Sequence, residues 1–357
     1  MADPVSWELA EKVAVKVAGR EPFAESYHYA TLQPDFDELT AEAEQLVGAA
    51  TGLRSLQGPA RARVTDRAGW VRANIASFRR LLKPVTDKLG PRMDATPIAP
   101  VGRAIAGAQL GTMLGWMSTR VLGQYDLLLI EDESPEEQDL VYYVGPNILA
   151  LEKRFAFPPR EFRLWLALHE VTHRAQFTGI PWMGDYFRSL VEASLSGIDP
   201  DPKRFLEAIR RAVDEVRAGR NPLDEGGLVA LLASPEQHEV LQKVQGLMSL
   251  LEGHGDVTMD RAGAERIPSA DRFARVLRER RKNASPPAAF LQKMVGLEAK
   301  MRQYEQGEKF IEAVEAEGGP ALLDEAWRGP EALPTAAEIR EPQAWIQRIR
   351  SGMAAAR

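Results

Sequence analysis

The sequence predicts a mainly α-helical protein of the α+β kind, with a small antiparallel sheet beside one buried helix. Three observations carry that expectation. Apolar residues recur at helical spacing along most of the chain. Strand signals are few and short, at Tyr125–Ile130 and Leu140–Val144. The stretch from Phe157 to Phe177 is apolar nearly all round, the pattern of a helix with no solvent face.

Taken in order, Trp7–Val17 and Phe36–Ala50 have amphipathic periodicity, and the second run stops near Gly52. Arg61–Leu82 continues the helical pattern up to Pro84. A Pro/Gly-bearing segment, Gly90–Pro100, separates an N-terminal helical region (1–90) from the remainder (91–357), and the two are expected to pack as one unit. Between Arg103 and Arg120 the chain is uncharged, with Gly107, Gly111 and Gly115 four residues apart. That run is shorter than a bilayer span, so it is expected to be a closely packed core helix with no stable membrane insertion. The two strand candidates flank the acidic loop Glu131–Asp139 and could pair. After Gly145-Pro146 the pattern is helical again, through Val240–Met259 to a last long helix at Ala288–Ala316.

The 357 residues include 45% apolar and 27% charged side chains, the balance of an ordinary globular protein large enough for a sizeable core. Net charge is -6, and the basic runs are short, which argues against a nucleic-acid partner. Cysteine is absent, so disulfides and thiolate chemistry are excluded. The first residues are acidic and lack a basic segment followed by an apolar one; a cytoplasmic location is expected. The sequence assigns no oligomeric state.

Chemistry concentrates in His169-Glu170-Val171-Thr172-His173. Pro158 and Pro159 suit the start of its helix, and Glu161 suits the positive end of the helix dipole. Residues four apart share a face, so both histidines can hold one metal ion. Glu170 is turned about 100° from His169, close enough to act as general base on water activated by Zn2+ without ligating the ion. Two imidazoles and a carboxylate in so apolar a helix are costly to bury unless something pairs with them. Arg174 is the one departure, because the position after the second histidine is usually uncharged in this motif.

A catalytic zinc site takes three protein ligands. Glu252 lies on the rim of the apolar stripe of Val240–Met259, with Asp256 four residues on along the same side. Glu252 could be the third ligand and Asp256 the acceptor for a ligand histidine's ring N–H. His254, on the opposite rim, is the alternative third ligand. Candidates for stabilising an oxyanion are Tyr304, Tyr186 and His238. His238 and His28 otherwise fit structural roles, and Lys300, Tyr304 and Glu308 fit a charged surface row.

Several short motifs together resemble a family of actinobacterial-type proteins described as zincin-like metallopeptidases or hydrolases, one branch of which is labelled as associated with coenzyme F420 biosynthesis. They are Thr51-Gly-Leu, Val121-Leu-Gly-Gln-Tyr-Asp126, Val144-Gly-Pro-Asn147, Leu168-His-Glu-Val-Thr-His173, Leu251-Glu-Gly-His-Gly-Asp256, Lys300-Met-Arg-Gln-Tyr304 with Gly307-Glu308, and Leu333-Pro-Thr335 ahead of Trp345. The resemblance implies a zincin-like fold over nearly the whole chain. The Glu252/Asp256 pair is also similar to the corresponding element of gluzincin peptidases, which implies a glutamate ligand and an aspartate holding His169. The same analogy makes Leu140–Val144 the strand able to lie along an extended substrate. The function expected is zinc-dependent hydrolysis of an amide or peptide bond in a peptide or small-molecule substrate. The alternatives are a catalytically silent binding or scaffold protein and a hydrolase of a cofactor-pathway metabolite.

Overall fold

The structure, a computed structural model, describes residues 3, 5–23, 25–83, 99–125, 138–196, 235–282 and 297–355. Two compact units emerge, one of Met1–Pro181 with Thr258–Arg280, the other of Trp182–Val257 with Arg281–Arg357. No described helix is long and apolar enough to cross a membrane.

The first unit is built on helices α1 (Trp7–Ala18), α2 (Tyr27–Ala30) and α3 (Leu32–Thr51), strand β1 (Arg61–Thr65), and helices α4 (Arg67–Leu81) and α5 (Ala99–Ser118). Strands β2 (Gly123–Tyr125) and β3 (Leu140–Val144) follow, then helices α6 (Gly145–Phe155) and α7 (Pro159–Gly179). The expected antiparallel pairing is present between β2 and β3, with Gln124 opposite Tyr142. A third strand was hidden in the sequence. Arg61–Thr65, expected as the first turns of a helix, is strand β1, and it runs parallel to β3 from Arg61↔Leu140 to Thr65↔Val144. Asp66 then caps α4 by accepting from the Gly69 N–H, so the helix starts only at Arg67.

The strand order β1-β3-β2 makes β3 central and buried at every position. This corrects the expectation that Leu140–Val144 could receive a substrate strand, because both its edges are already hydrogen-bonded. The outer strand on that side is β2. Of the second strand candidate only Tyr125 is described, and residues 126–130 lie outside the described set, as does Gly90–Pro100 up to Ile98.

The glycine stripe does the packing predicted for it. A Cβ at Gly107, Gly111 or Gly115 of α5 would run into the main-chain oxygens of Ser6, Ala10 and Ala14, in or just before α1. Small residues therefore bring the two backbones together, and Trp7, Ala10, Ala14, Trp70, Val71, Leu114 and Val144 close one core over that contact. Opposite it, Phe36 stacks on Tyr143 with ring centroids 3.8 Å apart, and the Tyr143 hydroxyl pairs with Thr40 at 2.9 Å. Asn147 ties α6 to the end of α5 by donating to the carbonyls of Ser118 and Val121.

The second unit contains α8 (Met183–Ser196) and most of α9 (Pro235–Gly263). It also holds α11 (Leu297–Gly318) and the C-terminal turns and helices through α14 (Pro342–Ala355), among them α12 (Pro320–Leu323) and α13 (Ala336–Arg340). α10 (Ala270–Lys282), which follows α9, belongs to the first unit up to Arg280. Helices α9 and α11 cross at Gly253 and Gly307, where any Cβ would overlap the facing backbone. Thr335 and Glu338 form a capping box at α13, and the buried Trp345 indole donates to the Ala332 carbonyl at 2.8 Å.

Candidate metal centre

Helix α7 begins at the expected Pro158-Pro159 pair and carries the histidine motif near its middle. Phe157, Phe162, Trp165 and Phe273 pack around its first turns, with Phe157 and Phe162 centroids 4.9 Å apart. Leu164, Leu168, Val171 and Ala175 are buried on one side of it, and Phe162 and Leu166 are buried as well. His169 and His173 are half-buried, and their Nε2 atoms face each other at 3.3 Å. His173 Nδ1 lies 3.0 Å from Gln176 Oε1. An amide oxygen only accepts, so that contact puts the ring proton on Nδ1 and the lone pair on Nε2.

Glu170 is 8% exposed. Its Oε2 accepts a hydrogen bond from the main-chain N–H of Tyr125, the last residue of β2, at 3.0 Å. Two residues earlier, a Cβ at Gly123 would stand 2.7 Å from both Cγ and Oε1 of Glu170. The β2 backbone thus lies directly over the carboxylate, and glycine is what lets it come so close. On the other face of β2, Gln124 accepts from the Trp70 indole at 2.6 Å and exchanges amide contacts with Asn74.

Arg174 is 1% exposed and fully engaged. Its guanidinium donates to Asp139 at 3.0 and 2.6 Å, to Glu44 at 2.7 Å and to the Gly58 carbonyl at 2.8 Å. Burial opposes the charge, yet the hydrogen bond and charge of Asp139, with the charge of Glu44, outweigh it and raise the pKa above the ordinary arginine value. The residue that looked out of place in the motif is a staple joining α7 to α3 and to the start of β3.

On α9, Glu252 is 3% exposed. His254 packs edge-on against Trp327, centroids 5.2 Å apart. Asp256 is half-buried on the same helix. Among the described residues, His169, His173 and Glu252 each offer a ligand atom, and these atoms lie within 4.8 Å of one another. Neither His254 nor His238 belongs to that group. His238 is exposed in the first turn of α9. Tyr186 is half-buried against Trp182 on α8, and burial raises its hydroxyl pKa. Tyr304 lies on α11, in a stretch whose side chains are outside the described set.

Two imidazole nitrogens and a carboxylate oxygen are the donor set of a three-ligand catalytic zinc site. Two nitrogens bound tetrahedrally at zinc distances stand about 3.3 Å apart. The separation of the two Nε2 atoms agrees. The residues fit the ion. Sequence reasoning missed Gly123, Tyr125, Asp139 and Gln176; the first two stood inside the Val121–Asp126 motif without a role attached.

A family model described as "Zincin-like metallopeptidase" matches residues 5–346. A solved structure from Chloroflexus aurantiacus, described as that of "a putative hydrolase with a novel fold", is 29% identical to this chain. It superposes with a TM-score of 0.71, covering 97% of this chain and 99% of its own. No curated protein matches the chain.

Proposed function

Because the chain belongs to the zincin-like metallopeptidase family, we propose that it is a zinc-dependent hydrolase of amide or peptide bonds, with His169, His173 and Glu252 holding the ion and Glu170 as the base. The observation that carries this reading is the convergence of those three ligand atoms; Glu170, next to His169 in the same helix, has its carboxylate held by a main-chain N–H. Zinc held there would polarise a substrate carbonyl and acidify water.

The remaining work falls to the chain. Gln176, accepting from His173 Nδ1, orients that ring and selects the tautomer whose Nε2 is a ligand. Glu170 takes the proton of the attacking water on its carboxylate and returns it to the departing nitrogen. The Tyr125 N–H, by holding Oε2, keeps that carboxylate from swinging away between the two transfers. Asp256 is assigned to the ring N–H of His169 on the likeness of the Glu252/Asp256 pair to the gluzincin element. The substrate is a peptide or an amide-bearing small molecule, and an oxyanion donor is sought among Tyr186, Tyr304 and His238.

Zinc stoichiometry and hydrolysis, measured side by side on the wild type and Glu170→Gln, test the proposal. A peptide library and a set of amide-bearing metabolites serve as substrates. The expected result is one zinc per chain in both proteins, with turnover lowered about 10³-fold in the variant. Wild-type protein that takes up no zinc, or a variant that hydrolyses as fast as the wild type, would overturn it.

A further inference from the structure

The charged residue after the second histidine has a role beyond stapling. We infer that Arg174 is a positioning residue for Glu170, acting through Asp139 and Tyr125 on the hydrogen bond that holds the carboxylate; the inference rests on the reading of Glu170 as the base.

The contacts form a continuous path. Arg174 grips both carboxylate oxygens of Asp139, through Nε at 3.0 Å and a terminal nitrogen at 2.6 Å. A bidentate grip fixes the plane of the carboxylate as well as its place. Asp139 itself sits in the left-handed region, at φ 54, immediately before β3, so its side chain leaves the strand at a set angle. Asp139 Oδ1 accepts from the Tyr125 hydroxyl at 3.1 Å. The Tyr125 ring also lies over Phe177 of α7, with centroids 6.4 Å apart. The main-chain N–H of the same tyrosine then donates to Glu170 Oε2. One residue thus has its side chain anchored by the staple and its backbone on the base.

The path returns to the helix it left, since Arg174 is one turn on from Glu170. β2 is only three residues long and outermost in its sheet, so pairing with β3 restrains it weakly along its outer side. The Asp139–Tyr125 contact supplies a second restraint on the residue that bears the N–H. A simple staple for α3 and α7 would need Glu44 and Gly58 but would have no use for Asp139 reaching the tyrosine.

Amide hydrogen exchange at residue 125, resolved by NMR on metal-free full-length protein, tests the inference independently of zinc and of any substrate. Glu170→Ala removes the acceptor and is expected to speed exchange at residue 125 at least ten-fold. Tyr125→Phe leaves the Arg174 contacts intact and cuts the path at the hydroxyl; it should speed that amide at least three-fold, with amides of β3 unchanged. Arg174→Met should do the same or more, and if it fails to fold, Tyr125→Phe decides. In zinc-loaded enzyme, Tyr125→Phe should lower kcat several-fold with KM and zinc affinity unchanged. Exchange at residue 125 unaltered in Tyr125→Phe would overturn the inference and leave Arg174 a staple. Absence of zinc or turnover in the wild type would instead defeat the proposed function, while the exchange result would still stand.

Discussion

A single methyl group can separate the two things β2 does, pairing in the sheet and covering the base. Gly123 has no positive φ to demand glycine; the demand comes from the Glu170 side chain, 2.7 Å from where a Cβ would stand. Gly123→Ala is therefore expected to fold, because the far end of a glutamate can rotate away, but to displace the carboxylate. Turnover should fall about 10²-fold with zinc retained, measured as kcat on whichever amide substrate the wild type accepts. Gln176 offers a second test, since its contact sets the His173 tautomer. Gln176→Leu should weaken zinc about 10-fold, read by competition with a chelating dye, as loss of such an outer hydrogen bond commonly does. The two histidines and Glu170 were legible in the sequence because helical spacing alone puts them together. Gly123 and Tyr125 were not, because their contact with Glu170 bridges separate elements that no local period relates.

Helices declared themselves in the sequence, and the strands declared themselves only in part. Leu140–Val144 stood out by its β-branched and aromatic run, yet its place as the central strand depends on a parallel partner, β1, whose residues Arg-Ala-Arg-Val-Thr carry one apolar β-branched side chain. A parallel pairing needs a crossover, so nothing local marks it. The edge strand was consequently misassigned to β3. The crossing of α9 and α11 shows the opposite case, a motif visible in the sequence whose reason is steric. Gly253 follows the proposed ligand Glu252, and a Cβ there or at Gly307 would enter the partner backbone, which cannot move as a side-chain tip can. Gly307→Ala should cost about 1–3 kcal/mol or more, seen as a lower unfolding midpoint in urea, because the helices must separate. The same separation should shift Glu252, so zinc affinity is expected to fall together with stability. A variant of unchanged stability would show that the crossing is looser than its contacts state.

At the scale of the whole molecule, the proposed ligands come from helices far apart along the chain, so an unfolded chain does not present them together. An ion that binds only the folded state stabilises it by RT ln(1 + [Zn]/Kd), about 2.7 kcal/mol at free zinc 100 times Kd. For a chain of 357 residues that corresponds to a rise of about 4 °C in the unfolding midpoint. The rise should grow with the logarithm of zinc concentration and disappear with excess chelator. His173→Ala should abolish it, because removing one imidazole leaves too few ligands for a catalytic site. Glu170→Gln should keep it entire, because the base is not a ligand. That contrast separates a metal-holding role from a proton-moving one without any substrate in hand. Differential scanning fluorimetry of the three proteins across a zinc series provides the measurement; equal shifts in all three would place the ion elsewhere on the molecule, and loss of the shift in Glu170→Gln would make that carboxylate a ligand.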